Sequence, residues 1–232
     1  MKLSIASIEN YWASISNEKP FVAPSDFKFI SKFNSLDILE QFKLRLDVVP
    51  EPYIGDPRAP VYLLNLNPGF NEADVEWHGK SEFSRILKNN LLHSNIEYPF
   101  YPLNPKLGNA PVSGWWLQKL KRLIVSTSQE KVSRGVFCVE YHGYHSQKYK
   151  AIPKRILEGH LPTQQYAAYI VRKAIEEDKY IVLMRSRKEW YSLVPELESY
   201  NNFYKIKNPQ NPQISVNNLE KYEHIVKAIE MN

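Results

Sequence analysis

Short runs of consecutive apolar residues alternate along this chain with stretches whose apolar positions recur every three or four residues, the signatures of buried strands and of one-sided helices. Four runs read as strands: Val61 to Leu66, Val136 to Glu140, Tyr180 to Met184 and Phe203 to Ile206. Helical spacing covers about Ser81 to Leu92, Trp115 to Val125, Thr163 to Glu177, a short stretch near Trp190 and a closing segment from about Asn218. Ahead of them, Ile5 to Leu46 carries two helical patterns around Pro20 and Pro24, the second with Phe29, Ile30, Phe33, Leu36, Leu39 and Phe42 on one face. We read residues 1–48 as a helical packing extension of a single domain spanning residues 1–232.

Strands separated by crossover-length helical segments imply a mainly parallel sheet covered on both faces. The expected fold is therefore α/β, a three-layer α/β/α sandwich around four strands, with a small Rossmann-like domain as the alternative. A Pro/Asn/Gly loop from Tyr98 to Gly114 is long enough to suggest a functional role.

The run Val61-Tyr-Leu-Leu-Asn-Leu-Asn-Pro-Gly-Phe70 passes from an apolar strand directly into Asn67-Pro68-Gly69. A rigid Pro-Gly turn there places polar groups at the carboxyl end of a strand, where open α/β sheets assemble their sites, so Asn67 is expected at an active-site rim. Asn-Pro-Gly after an apolar strand, with the lead-in Pro50-Glu-Pro-Tyr-Ile-Gly-Asp-Pro57, resembles the first motif of the uracil-DNA glycosylase superfamily. It is most similar to the mismatch-specific and thymine-DNA glycosylase branch. The resemblance implies the superfamily's three-layer fold, a flipped-out nucleotide as substrate, and Asn67 as the residue that positions the hydrolytic water. It also implies that Gly69 stands where the uracil-specific branch has a tyrosine that excludes groups at carbon 5 of the pyrimidine.

After the last strand, Asn208-Pro-Gln-Asn-Pro-Gln-Ile-Ser215 resembles the second superfamily motif, a loop that enters the minor groove; it is two residues longer if begun at Asn208 and one shorter if begun at Asn211. Asn208, Asn211, Gln213 and Ser215 are thereby assigned to DNA contact, in a loop stiffened by two prolines. The strand ending at Glu140 resembles one that ends, in the uracil-specific enzymes, in an asparagine reading the base edge. An ionised glutamate there is acceptor-only and suits the exocyclic amine of a cytosine. In the polar loop that follows, His145 and His142 are candidates to polarise the departing base, contact phosphate or bind a metal. With no His-Glu-x-x-His pattern, neither a metal nor any other cofactor is expected. Tyr141, Tyr144 and Ser146 are candidate substrate contacts, as is Phe70, with Trp77 and Phe83 as further stacking candidates.

Lys plus Arg exceed Asp plus Glu by 30 to 25, with a sequence pI near 9.0, which favours phosphate-bearing partners. Lys148, Lys150, Arg185 and Arg187 belong to clusters near loops and helix starts and are candidate DNA contacts. Cys138 is the only cysteine, so no intramolecular disulfide forms, and superfamily branches that hold an iron–sulfur cluster on four cysteines do not match. The first 20 residues lack a secretory pattern and no run has membrane-spanning length, so a cytoplasmic monomer is expected.

Together these features predict a monofunctional DNA glycosylase that hydrolyses the N-glycosidic bond of a C5-modified pyrimidine, a hydroxymethylated or glucosylated cytosine. The resemblance extends to phage-defence members of the superfamily that remove such bases from viral DNA. Two alternatives remain: a non-catalytic binder of modified or single-stranded DNA, and a small-molecule hydrolase or nucleotide-binding protein of Rossmann-like fold. The absence of G-x-G-x-x-G and Walker A patterns counts against the last.

Overall fold

The apolar runs at Val61 and Val136 become β2 (Val61–Asn65) and β3 (Val136–Glu140), each buried at every position. A strand buried on both pleat faces needs cover above and below, which is what a three-layer α/β/α arrangement requires. The computed structural model describes residues 8–232; the start of the first expected helical pattern, at Ile5, lies outside them. With β1 (Tyr53–Gly55), β4 (Tyr180–Leu183) and β5 (Phe203–Lys205), the sheet has the order β1-β3-β2-β4-β5.

The expectation of four strands in a mainly parallel sheet is corrected here, because the sheet is five-stranded and mixed. β2 pairs in parallel with β3 and β4, and β4 with β5, but β1 lies antiparallel against β3. β1 is only three residues long, bounded by Pro52 and Pro57, and shows no periodicity to read. It reaches β3 because Gly55 adopts φ +117° and has no side chain; a Cβ there would lie 2.6 Å from the Val136 carbonyl oxygen.

Eight α-helices accompany the sheet among the described residues: α1 (Phe27–Asn34), α2 (Glu72–Gly79), α3 (Ser81–Leu91), α4 (Pro111–Ser126), α5 (Gln129–Gly135), α6 (Pro162–Glu176), α7 (Arg187–Leu193) and α8 (Tyr222–Glu230). The periodic stretches at α3, α4 and α6 form the expected helices, α4 opening earlier because Pro111 occupies its first turn. α2 has no apolar periodicity and is set instead by a capping box, Asn71 accepting from its first turn while Asp74 accepts from the Asn71 amide at 2.7 Å. The Tyr98–Gly114 loop is not structureless: it holds single helical turns at Tyr101–Leu103 and Pro105–Leu107 and merges into α4.

The amino-terminal extension is less helical than expected. α1 stops at Asn34, whose side chain bonds both backbone groups of Leu44, so Leu36, Leu39 and Phe42 fall beyond the helix. Asp26 ties the extension to the core. Fully buried, it accepts hydrogen bonds from the hydroxyls of Tyr144 and Thr163 and from the Thr163 amide. Burial raises its pKa, and those donors oppose the rise. No helix among the described residues is long and apolar enough to cross a membrane.

Gly55→Ala is expected to destabilise the fold by about 2 kcal/mol or more, because it combines a disfavoured backbone conformation with a clash against backbone. Urea denaturation checks this; a loss within about 0.5 kcal/mol would show that β1 can shift away from β3 at little cost.

Candidate active site

After the antiparallel edge strand β1, the chain lays down β2, adds β3 on one side of it, and then crosses to place β4 on the other. The strand order therefore reverses at β2, and the crevice beyond its carboxyl end is where an open α/β sheet accommodates a ligand. A cavity of about 430 Å³ occupies that position, lined by residues from the ends of β2, β3 and β4 and by Trp115 of α4. Of the residues singled out from the sequence it brings together Asn67, Gly69, Phe70, Glu140, His145, Ser146 and Arg185.

Asn67 stands at the half-buried rim. Its Nδ2 donates to the Ser146 hydroxyl at 3.1 Å and to the Pro68 carbonyl at 2.9 Å, so the amide plane is held from one side. Among the described residues, no donor reaches Asn67 Oδ1, and the amides of Gly69 and Phe70 make no hydrogen bond. Beside Gly69 there is open space, since a Cβ built on it would meet nothing within 4 Å. Phe70 forms part of the wall and is stacked by the Arg45 guanidinium, 3.7 Å from the ring centroid.

Deeper in the cavity, parallel register sets Asn65 directly beside Glu140. Asn65 Nδ2 donates to Glu140 Oε1 at 3.0 Å, leaving Asn65 Oδ1 and Glu140 Oε2 both buried without a partner among the described residues. Burial lifts the Glu140 pKa to about 8, against the hydrogen bond from Asn65. At neutral pH Glu140 is therefore a neutral acid and a donor through its second oxygen, which corrects the acceptor-only role drawn from its residue type.

The two histidines part company. His145 Nδ1 lies 2.7 Å from the Gly69 carbonyl oxygen, and Nε2 lies 3.1 Å from both the Val49 carbonyl oxygen and Glu51 Oε2. Every one of these partners is an acceptor, so both ring nitrogens carry protons and His145 is an imidazolium. Burial alone would lower its pKa, but the hydrogen bond and charge of Glu51 outweigh that and raise it. Both N–H groups are thus engaged within the protein, which leaves neither for a departing base. His142 lines no part of the cavity; among the described residues neither of its buried ring nitrogens has a well-formed hydrogen bond, and burial pushes its pKa down to about 4.

The neighbouring tyrosines are structural. Tyr144 carries the Asp26 contact, and Tyr141 packs on Trp190 with its hydroxyl 3.3 Å from His160 Nδ1. Trp77 and Phe83 pack on one another away from the cavity.

Glu51, which the sequence reading passed over, gathers three groups. Its carboxylate accepts from the Tyr101 hydroxyl and from His145, with His78 Nε2 4.0 Å away. Burial would raise its pKa, yet the hydrogen bond and the charge of His145 hold it below the ordinary value. Ligand atoms of Glu51, His78 and His145 lie within 4.8 Å of one another, close enough to invite a cation. The hydrogen-bond directions are those of an ion pair instead: His78 Nδ1 accepts from the Val49 amide at 3.0 Å, so its Nε2 holds the proton that a metal would have to displace. The signal that marked Glu51 was available, a lone carboxylate between two prolines after Val48-Val49.

The remaining basic and amide residues lie outside the cavity. Asn208, Asn211, Gln213 and Ser215 border a separate open hollow of about 610 Å³ beside Arg122 and Tyr222. That loop rests on α4, Lys119 Nζ donating to Asn211 Oδ1 at 2.8 Å and the Ile214 amide to the Lys119 carbonyl at 3.0 Å. Arg185 connects the cavity to a second groove shared with Arg187, Lys205 and Lys207. Lys148 and Lys150 are outside all of these hollows, Lys150 lying over the ring of Phe42.

The folded chain keeps the Glu140 proton up to about pH 8, whereas the unfolded chain releases it near 4.5. Stability derived from the neutral acid is therefore complete below pH 4.5 and declines as the pH rises toward 8. Glu140→Gln has no proton to lose, so its stability relative to wild type should climb steadily through that window in urea unfolding at a series of pH values. A difference independent of pH would show that Glu140 is ionised in the folded protein.

No protein-family model matches the chain, and comparison with curated proteins and with solved structures likewise finds none, so the site is read from its own geometry.

Proposed function

We propose that this chain is a DNA glycosylase that hydrolyses the N-glycosidic bond of a flipped-out, C5-modified cytosine and leaves an abasic site. The observation that carries the reading is the pairing of two features across one cavity. At the rim Asn67 has its amide nitrogen anchored and its Oδ1 free; at depth Glu140 Oε2 and Asn65 Oδ1 are buried and unpartnered. Buried polar atoms left open at a cavity wall suit a ligand that supplies the missing partners.

In this reading the base enters edge-first. Glu140 donates to ring nitrogen N3, and Asn65 Oδ1 accepts from the exocyclic amine. The same pair in the opposite sense would serve O4 and N3–H of uracil, so preference for a modified cytosine rests on the room beside Gly69. Asn67 Oδ1 orients a water for attack on the anomeric carbon. The new C–O bond forms as the C–N bond breaks, its electron pair departs with the base, and the acid proton of Glu140 neutralises the charge developing there. Water's own proton is released to solvent, since an amide is a poor base. Catalysis leans on positioning and on donors preorganised for the departing anion. Arg185 and the groove with Arg187, Lys205 and Lys207 offer a path for phosphates away from the cavity, and the Asn208–Ser215 loop is a candidate wedge.

The test is incubation with DNA carrying cytosine, hydroxymethylcytosine, glucosylated hydroxymethylcytosine or uracil, followed by alkaline cleavage at abasic sites. Release from the modified cytosines is expected, and Asn67→Ala should slow it by about a hundredfold or more with DNA affinity retained. Salt-sensitive DNA binding with no abasic product would assign the chain to the non-catalytic binders instead.

Gly69→Tyr fills the open side of the cavity. It should abolish release of the glucosylated base while affecting unsubstituted bases far less; a mutant that still accepts the bulkiest base would show that carbon 5 points elsewhere.

A further inference from the structure

We infer that Glu51 is a positioning residue: it keeps His145 doubly protonated, and His145, through the Gly69 carbonyl, sets the turn that presents Asn67. Only the kinetic readout of this inference rests on the glycosylase reading.

The geometry leaves His145 little choice. Its ring is buried, with the Gly69 carbonyl on one nitrogen and the Val49 carbonyl and Glu51 on the other. A neutral imidazole has a single N–H, so loss of the charge forces one side to be surrendered and confronts a ring lone pair with an oxygen lone pair. When the surrendered side is Gly69, the Asn67-Pro68-Gly69 turn loses the hydrogen bond that holds its glycine end and keeps the Asn67 side-chain contact to Ser146. Burial opposes an uncompensated imidazolium, and Glu51 supplies the compensation at 3.1 Å.

The surroundings favour that arrangement from every side. Tyr101 donates to the other carboxylate oxygen of Glu51, so the loop before α4 fixes the carboxylate orientation. From α2, His78 stays neutral, its pKa pushed down to about 4 by burial, and turns its Nε2 proton toward Glu51; Asp74 adds negative charge on the same side. From the extension, the Arg45 amide donates to the His145 carbonyl at 2.9 Å while its guanidinium is drawn off to Asp47 and Glu72. Glu140, on β3, is neutral at the same pH. The ion pair is thus built from chain segments on three sides of the catalytic turn, and its full engagement explains why His145 touches the cavity without a free N–H to offer it.

Ring-nitrogen NMR of His145 from about pH 5 to about pH 9 tests the charge directly; the imidazolium is expected to persist through neutrality. Glu51→Gln should lower its titration midpoint by about one unit or more. The same variant should reduce kcat for base release about tenfold or more with DNA affinity unchanged, and shift the alkaline limb of the pH profile downward, while Glu51→Asp, which restores the charge, recovers most of the rate. A wild-type His145 that is neutral at pH 7, or a Glu51→Gln variant with unaltered His145 titration or kcat, overturns the inference. The wild-type titration needs no substitution, so a variant that fails to fold does not protect it. Should wild type release no base from any DNA, the glycosylase reading falls and the turn is read by amide hydrogen exchange at Gly69 to Asn71. Acceleration of about tenfold in Glu51→Gln then supports the inference, and unchanged exchange overturns it.

Discussion

The insertion of β2 between β3 and β4 is the constraint from which the rest of the molecule follows. A strand with parallel ladders on both edges has its backbone groups committed along its length and both faces sealed from water. Its first free polar groups emerge where the ladder stops, after Asn65. Because the strand order reverses at this strand, the ends of both neighbours flank that point and a crevice opens between them. Register then decides the chemistry: Asn65 meets Glu140, and a slip of one residue would carry Asn65 to the opposite face of the sheet.

Burying that much sheet imposes an electrostatic problem at its end, and three acidic groups resolve it in three ways. Glu51 remains charged because His145, Tyr101 and His78 surround it. Asp26 is supplied with hydroxyl and amide donors from Tyr144 and Thr163, so a buried carboxyl becomes the anchor of the amino-terminal extension. Glu140 receives its donors, the Asn65 amide and the Cys138 thiol, on one oxygen alone, and keeps its proton instead. Breaking a compensated pair would strand a charge, and that cost confines the Glu51–His145 unit to one geometry. The incompletely satisfied Glu140 costs stability at neutral pH, a pattern that fits a group reserved for a ligand.

The same division organises the surface. Arg185 belongs both to the cavity wall and to the basic groove at the ends of β4 and β5, while the Asn208–Ser215 loop is braced on α4, whose Trp115 forms another part of the wall. A ligand too long for the cavity would therefore meet cationic and amide-rich ground in two directions, on elements that adjoin the site.

What the sequence determined by itself was local. Apolar runs and helical spacing located β2 to β5 and helices α3, α4 and α6, because burial of one face or two leaves a periodic imprint on neighbouring residues. The Asn67-Pro68-Gly69 turn was legible for the same reason, an abrupt end to an apolar run marked by two conformationally restricted residues. β1 was not, since a three-residue strand carries no period, and α2 is defined by its cap. Only the tertiary structure decided the partners. Asn65 meets Glu140 across 75 positions and Val49 meets His145 across 96, and no composition or spacing encodes such encounters. Those encounters reversed the chemistry expected from residue type. Glu140 became a neutral acid through burial, His145 a fully engaged cation through its acceptors, His142 and Tyr144 interior residues, and Glu51, unremarkable as a letter, the centre of the charged network, because ionisation and hydrogen bonding are properties of surroundings that the folded chain alone assembles.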